Sequence, residues 1–272
     1  MKPPPRAAVV VVSHNRADRL RTCLESLERS ESRDRVQLIV VENGSQDASV
    51  QVAEDFPDIQ LIRLPKNFGL TKGLNLGWRA ADAEYVLFLH EDTEVEPDTV
   101  ARLADALDAH ADAAAVCPLL VDAAGRPAPQ LGSLPPDGAW RAAEPAPQPI
   151  AVEYPRGAAL MVRVFLIKAI RQIDERYGQF GGDADLAAQI LRAGKKILLV
   201  SEARVRHHGG RQPEALVRAD FLLGRAVFAS KYLGLLAGLR ERLKAVFEPL
   251  ARFRLAEIRF TLAGQKIDGT QG

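Results

Sequence analysis

Short apolar runs, each broken by a polar turn, recur through the first half of the chain. Ala7 to Ser13 (AAVVVVS), Val36 to Val41 and Tyr85 to Leu89 are continuous enough to be strands buried on both faces and too short to be helices. Gln60 to Leu64, ended by Pro65, is a further strand. Between these runs the spacing changes. Leu20, Cys23, Leu24 and Leu27 stand at i, i+3, i+4 and i+7 and predict an amphipathic helix over Asp18 to Ser30. Shorter helices are expected over Ala48 to Asp55 and Leu70 to Ala81. Val100, Leu103 and Leu107 predict another, opened by Pro97 in its first turn. Alternation of strand and helix predicts an α/β domain with a mostly parallel, Rossmann-type sheet flanked by helices.

The second half is less regular. Ala113 to Val121 reads as a strand, followed by a turn at Asp122 to Gly125. Pro127 to Pro149 is rich in Pro, Ala and Gly without periodicity and is expected to be a long surface loop. Ala158 to Val164 resumes as a strand. A glycine-rich acidic turn, Gly178 to Asp185, precedes a helix marked by Leu186, Ile190 and Leu191 and stopped at Gly194. Lys196 to Val200 and Ala203 to Arg206 are expected to be two short strands. Residues 211 to 260 hold ten Lys or Arg against five Asp or Glu, spaced with Leu and Phe, which fits two or more amphipathic helices. The expected organisation is therefore one domain over residues 7–210 and a C-terminal helical segment over residues 211–272.

Composition narrows the partners. The 272 residues, 47% of them apolar, suffice for one sizeable core, and a net charge of +1 argues against a nucleic-acid partner. Two cysteines make neither a disulfide framework nor a metal cluster. No signal peptide is visible in Met1 to Arg6, and no run approaches the ~18 apolar residues of a spanning helix. A cytoplasmic protein is expected, with the basic tail suited to peripheral contact with the inner face of a cell membrane.

Candidate chemistry lies at the strand ends, where open α/β sheets bind ligands. Ser13-His14-Asn15-Arg16 follows the first strand, Glu42 to Asp47 the second, and His90-Glu91-Asp92 the fourth; Asp183 to Asp185 and His207 form a later cluster. Such acids can simply solvate loops and favour helix N-termini. Recurring at successive strand ends, they suggest instead a charged ligand and a hard cation, which takes oxygen ligands from carboxylates and phosphates. Neither G-x-G-x-x-G nor G-x-x-x-x-G-K-[ST] occurs at the first turn. A diphosphate bridged by a metal at the fourth strand is the natural substitute.

These residues resemble the family 2 glycosyltransferases, inverting enzymes of the GT-A fold, and in particular their bacterial rhamnosyltransferase-like branch. The resemblance runs in order through VVVVSHNR at 9–16, VENGSQD at 41–47, NFGLTKGLNLG at 67–77, LHEDTEVEPD at 89–98, GGDADLAAQILRAGKKI at 181–197 and VRHHGG at 205–210. It implies transfer of a sugar, rhamnose in that branch, from a nucleotide-diphosphate donor to a hydroxyl acceptor such as a lipid-linked glycan. Asp183 matches the general base. Asp92 matches the last acid of the D-x-D metal motif, and with His207 it is expected to hold Mg²⁺ or Mn²⁺. The donor site implied comprises Ser13, Asn15, Arg16, Glu42, Asn43, Asn67, Gly69, Lys72, Asn75 and Glu91, with Glu42 at the nucleotide base. Arg156, Gly157 and Asp185 are assigned to the acceptor side, Asp185 alternatively capping its helix. Two positions depart from the pattern: His90 stands for an Asp or Asn, and Gly182 for a Glu. The rival reading is a sugar-nucleotide-binding protein of the same fold without catalysis. A nucleotidyltransferase is disfavoured by SHNR at the first turn, and an α/β hydrolase by the lack of G-x-S-x-G.

Overall fold

The structure is a computed structural model that describes residues 4–209 and 214–262. Gly210 of the VRHHGG motif and residues 211–213 and 263–272 of the helical segment lie outside the described residues.

The N-terminal half alternates as its hydrophobic pattern dictates: β1 (Ala7–Ser13), α1 (Ala17–Glu28), β2 (Val36–Glu42), α2 (Ser49–Glu54), β3 (Ile59–Arg63), α3 (Leu70–Arg79) and β4 (Tyr85–His90). Every residue of β1 is buried. Its side chains alternate between two cores, Ala7, Val9 and Val11 on one face of the sheet and Ala8, Val10 and Val12 on the other. Leu20, Cys23, Leu24 and Leu27 of α1 cover the first face. Helix α3 covers the second, and it does so at unusually close range. A Cβ placed on Gly77 would lie 2.2 Å from Cγ1 of Val10, and one on Gly73 2.7 Å from Cγ1 of Val12. The glycines of GLNLG thus let a helix backbone rest on the central strand. Gly77→Ala is expected to destabilise the fold by ~1–3 kcal/mol, because overpacking a fully buried contact outweighs the ~1 kcal/mol by which Ala outranks Gly in a helix interior. A thermal melt of the variant checks this, and Val10→Ala in the same chain should relieve the clash.

The chain continues through β5 (Thr93–Val95), α4 (Thr99–Ala109), β6 (Ala113–Val121), β7 (Pro129–Gly132), β8 (Arg141–Ala142), β9 (Ile150–Val152), β10 (Tyr154–Pro155), β11 (Ala159–Arg163), α5 (Val164–Ala169), α6 (Gly182–Arg192) and β12 (Lys196–His207). The main sheet runs β3-β2-β1-β4-β11-β6-β12-β5, with β9 also paired to β12. Its first four strands are parallel to one another. Strand β11 enters antiparallel between β4 and β6, β12 is parallel to β6, and the short β5 and β9 are antiparallel to β12. The sheet is thus parallel over β3, β2, β1 and β4 and mixed beyond them.

Two expectations about this half are corrected. Residues 127–149 are not a structureless loop, for β7 and β8 join β10 in a three-stranded antiparallel sheet. The buried Gln130 side chain anchors it, donating to Pro118 O at 2.8 Å and accepting from Leu120 N at 2.6 Å. The two strands expected within 196–206 are one, β12, whose pairing with β6 shifts register between Val200 and Arg204, around the polar Ser201-Glu202.

Three helices follow: α7 (Glu214–Tyr232), α8 (Leu235–Ala251) and α9 (Leu255–Leu262). Phe228 of α7 joins the second core. Helices α8 and α9 pack on α7 and on each other. Among the described residues no helix is long and apolar enough to cross a membrane.

Candidate active site

The carboxyl ends of β1, β2, β4 and β12 lie on one edge of the sheet. Because β11 runs the other way, the residues just before it reach the same edge, and His90 N donates to Ala158 O at 2.9 Å. A cavity of about 450 Å³ opens there, within the range of small-ligand sites. Its floor is apolar, with Val12, Leu74, Phe88, Leu160 and Leu186, and its rim is polar.

The turn after β1 is held by cross-bonds to the turn after β2. Asn15 adopts a left-handed conformation (φ 54°), which Asn tolerates better than most residues, and its Oδ1 accepts from Gln46 N at 2.8 Å. His14 N donates to Glu91 Oε2 at 3.1 Å, and Arg16 NH1 donates to Asp92 Oδ2 at 3.3 Å. Burial pushes Glu91 up to about 8, against the pull of the Arg16 guanidinium. Asn43 ties the next loop, donating to Asn67 Oδ1 at 2.9 Å and accepting from Phe68 N at 2.9 Å.

At the middle of the rim stand His90, Asp92 and His207. One donor atom from each lies within 4.8 Å of the others. His207 Nε2 is 3.4 Å and His90 Nδ1 3.9 Å from Asp92 Oδ1, a buried oxygen without a well-formed hydrogen bond. Burial alone would raise Asp92, but His207, His90 and Arg16 hold it below the usual carboxylate range. Burial also pushes His90 down to about 4, so its ring is neutral at pH 7 and has a lone pair to offer. An ionised carboxylate and two imidazoles converging on one point are chemically fit to hold a divalent cation. His90, a departure from the acidic motif, would supply the third donor of such a site. His208 points elsewhere, toward Glu94, while its N–H donates to Asp92 O at 2.9 Å.

Asp183 lines the same cavity from the first turn of α6. The loop before it is fixed to α7: Asp220 Oδ2 accepts from Gln179 N at 3.0 Å and Phe180 N at 2.9 Å. Gly181 (φ 102°) then turns the chain into the helix. The Asp183 carboxylate accepts from Tyr154 Oη at 3.0 Å, Gly157 N at 3.1 Å and Ala184 N at 2.8 Å. A Cβ on Gly157 would approach Asp183 Cβ to 3.0 Å, so a side chain there would push the carboxylate away. Burial raises the Asp183 pKa, and those three donors only partly offset it. A carboxylate that is buried, oriented and raised is equipped to take a proton.

Of the residues expected at the site, His207, Asp92, Glu91, Arg16, Asn43, Asn67, Arg156, Gly157 and Asp183 line this cavity. Ser13, Asn15, Glu42, Gly69, Lys72, Asn75 and Asp185 do not. Glu42 closes its own turn by accepting from Ser45 N at 2.6 Å, and the Lys72 ammonium sits 4.6 Å over the Phe68 ring. Asn75 is turned to the 173–175 loop, donating to Ile173 O at 2.8 Å and accepting from Ile173 N at 3.0 Å. Asp185 makes no capping bond to α6 and does not line the cavity. It is fully buried and binds Lys231 Nζ and Tyr232 Oη of α7, each at 2.7 Å, because one helical step of two residues turns it away from Asp183. The pattern missed Trp140 and Tyr154, whose rings pack 4.9 Å apart, with the Arg156 guanidinium 4.9 Å over Trp140. The available signal was one of only two tryptophans in a Pro- and Ala-rich stretch.

Known proteins share this fold. The O-antigen biosynthesis protein RfbC of Myxococcus xanthus is 25% identical over 243 residues, 82% of this chain and 19% of that one. The chain spans about a quarter of the length of the first curated relatives it matches. S. aureus TarS 1-349 in complex with UDP-GlcNAc superposes with a TM-score of 0.60 at 17% identity, over 95% of this chain and 74% of that one. GalNAc-T7 with UDP, GalNAc and Mn²⁺ superposes at 0.70 and 14% identity, over 97% and 57%. At such identities the likeness is one of fold, the GT-A fold. The sequence model of glycosyl transferase family 2 matches residues 8–163. Asp183 and His207 fall beyond that match, and the fold returns them to the cavity it builds. From the second residue of β1 to the last residue of β11 the match follows the whole parallel half and the strand that closes it, and the chain belongs to glycosyl transferase family 2.

Proposed function

We propose that the chain transfers a sugar from a nucleotide-diphosphate donor to a hydroxyl acceptor with inversion at the anomeric carbon. The observation that carries this is that Asp183 and the His90–Asp92–His207 trio line one and the same cavity. Asp183 takes the acceptor's hydroxyl proton as the oxygen bonds to the anomeric carbon. The bond from that carbon to the diphosphate breaks on the other face, where positive charge is needed. No covalent sugar intermediate is required. Tyr154 and Gly157 hold the carboxylate toward the acceptor side, while Arg16 and Arg156 put two guanidiniums on the cavity rim. A divalent cation held by Asp92, His207 and His90 would stabilise the charge on the leaving diphosphate. Two nitrogen donors favour Mn²⁺ over Mg²⁺, which prefers oxygen alone.

The apolar floor suits a donor sugar that carries a methyl group, either a 6-deoxyhexose such as rhamnose or an N-acetylhexosamine like the one in the TarS complex. A lipid-linked glycan is the acceptor class proposed. Residues 7–210 form the transfer unit of this reading, and residues 211–272 a helical addition whose α7 buttresses α6.

Thermal melts with a panel of nucleotide sugars, including a UDP-N-acetylhexosamine and a rhamnose donor, test it. A matched donor at ~100 times its Kd adds ~2.7 kcal/mol, or ~5–10 °C, and more with Mn²⁺ than without. No stabilisation by any donor would overturn the proposal. Binding without transfer to any acceptor would leave a sugar-nucleotide-binding protein. Asp92→Ala is expected to lose at least ~100-fold in transfer at saturating Mn²⁺, since even outer-shell partners of metal sites contribute ~10–100-fold. Full activity of the wild type in excess chelator would refute the metal role.

A further inference from the structure

Helix α8 turns its small residues toward the protein and its large apolar ones away. Gly238, Ala245 and Pro249 are its buried positions. A Cβ on Gly238 would stand 1.7 Å from Ser230 Oγ and 2.8 Å from Ser230 Cα, so α8 meets α7 almost backbone to backbone. The opposite side carries Leu236, Leu239, Leu243, Phe247 and Leu250, a single stripe at helical spacing. All five are exposed, from 49% at Leu243 to 84% at Leu236. Scattered exposed leucines are ordinary, but a contiguous stripe of five on one helix marks an interaction surface.

The charges around the stripe decide what covers it. Residues 235–262 hold six Lys or Arg against three Asp or Glu. All three acids are engaged: Glu241 with Arg225 at 2.9 Å and Lys244 at 2.7 Å, Glu248 with Arg252 at 3.4 Å, and Glu257 with Arg218 and Arg254 at 3.5 Å each. Arg240, Arg242 and Arg259 are exposed and form no ion pair among the described residues. Arg240 and Lys244 border the stripe itself. A second copy of this helix would bring the same cations into one interface, where they repel. A bilayer with anionic headgroups takes both features at once, leucines and phenylalanine at the acyl boundary and guanidiniums at the phosphates.

We infer that α8 lies in the plane of an anionic lipid bilayer, with its Leu236–Leu250 stripe inserted and Arg240, Arg242 and Lys244 at headgroup level. This contact needs neither donor nor metal, so it stands or falls apart from the transfer reaction.

Co-sedimentation of the full chain with vesicles tests it, using phosphatidylcholine alone and phosphatidylcholine with phosphatidylglycerol. Binding at least ~10-fold tighter to the anionic vesicles is expected, weakening as salt screens the headgroups. Leu236→Ser, Leu243→Ser and Phe247→Ser together should abolish it while the thermal melt stays unchanged, since none of the three is buried. Arg240→Glu with Arg242→Glu should abolish the preference for anionic lipid. Equal recovery from both vesicles, no binding to either, or unaltered binding by the triple variant would each overturn the inference. A dimer in light scattering that the triple variant dissolves would assign the stripe to a second copy instead.

Discussion

Asp183→Asn is expected to transfer sugar ~10²–10⁴-fold more slowly than the wild type, the usual effect of losing a general base. Donor affinity, measured separately by calorimetry, should be unchanged. Asparagine keeps an oxygen for Tyr154 and Ala184 but cannot take the acceptor proton. The pH profile gives a second readout. The base works only when ionised, and burial raises its pKa. The acidic limb of kcat/KM should therefore lie above the range where an ordinary carboxylate titrates, with activity falling as pH drops through it. Tyr154 donates to the ionised form and pulls that pKa down, so Tyr154→Phe should move the limb to higher pH. A near wild-type rate in Asp183→Asn would place the base elsewhere. Loss of donor binding with the fold intact would put Asp183 in the donor site.

Asp185→Ala, two residues on, is expected to damage the fold rather than the chemistry. Its buried carboxylate accepts from Gln189 Nε2 at 2.8 Å and Tyr232 Oη at 2.7 Å and pairs with Lys231 at 2.7 Å. Breaking a buried ion pair by removing one partner costs ~3–5 kcal/mol. Lys231 retains Asp174 at 3.2 Å, which puts the expected loss at the lower end, ~3 kcal/mol. That is a fall of ~6–12 °C in Tm for a chain of this size. Below the melt, Asp185→Ala should retain donor binding and transfer. An unchanged Tm would mean that α7 is held to α6 by other contacts, such as Phe228 in the core.

These neighbours show what the sequence could and could not tell. The acid-rich turn GGDAD marks a site, but which carboxylate faces the cavity depends on α6 starting at Gly182 and on partners 26 to 47 residues away. The buried strands were legible because each is a continuous apolar run: β1, β2, β4 and β6 begin and end within a residue of where their composition changes. The second sheet was not. Strands β7, β8 and β10 are two to four residues long, too short for a period, and are secured by Gln130 and by the Trp140–Tyr154 contact. Asn43 and Asn67 were recognisable as motif residues, yet their mutual hydrogen bond exists only once two loops meet. The outward stripe of α8 reads as an ordinary amphipathic pattern until the small residues on its other face are seen to be the packed ones.

The antiparallel entry of β11 has a consequence for how the protein can diversify. The wall carrying Trp140, Tyr154 and Arg156 comes from the excursion between β6 and β11, and both of its ends are pinned by the sheet. The turns after β1, β2 and β4 belong to a different, parallel block. That wall can therefore be varied in the loops between its strands while the parallel block of β1, β2 and β4 stays in register. On the proposed reading, which sets the acceptor against that wall, a chimera exchanging only this excursion and keeping Tyr154 is expected to change acceptor preference while donor preference stays, as a transfer assay with two acceptors checks.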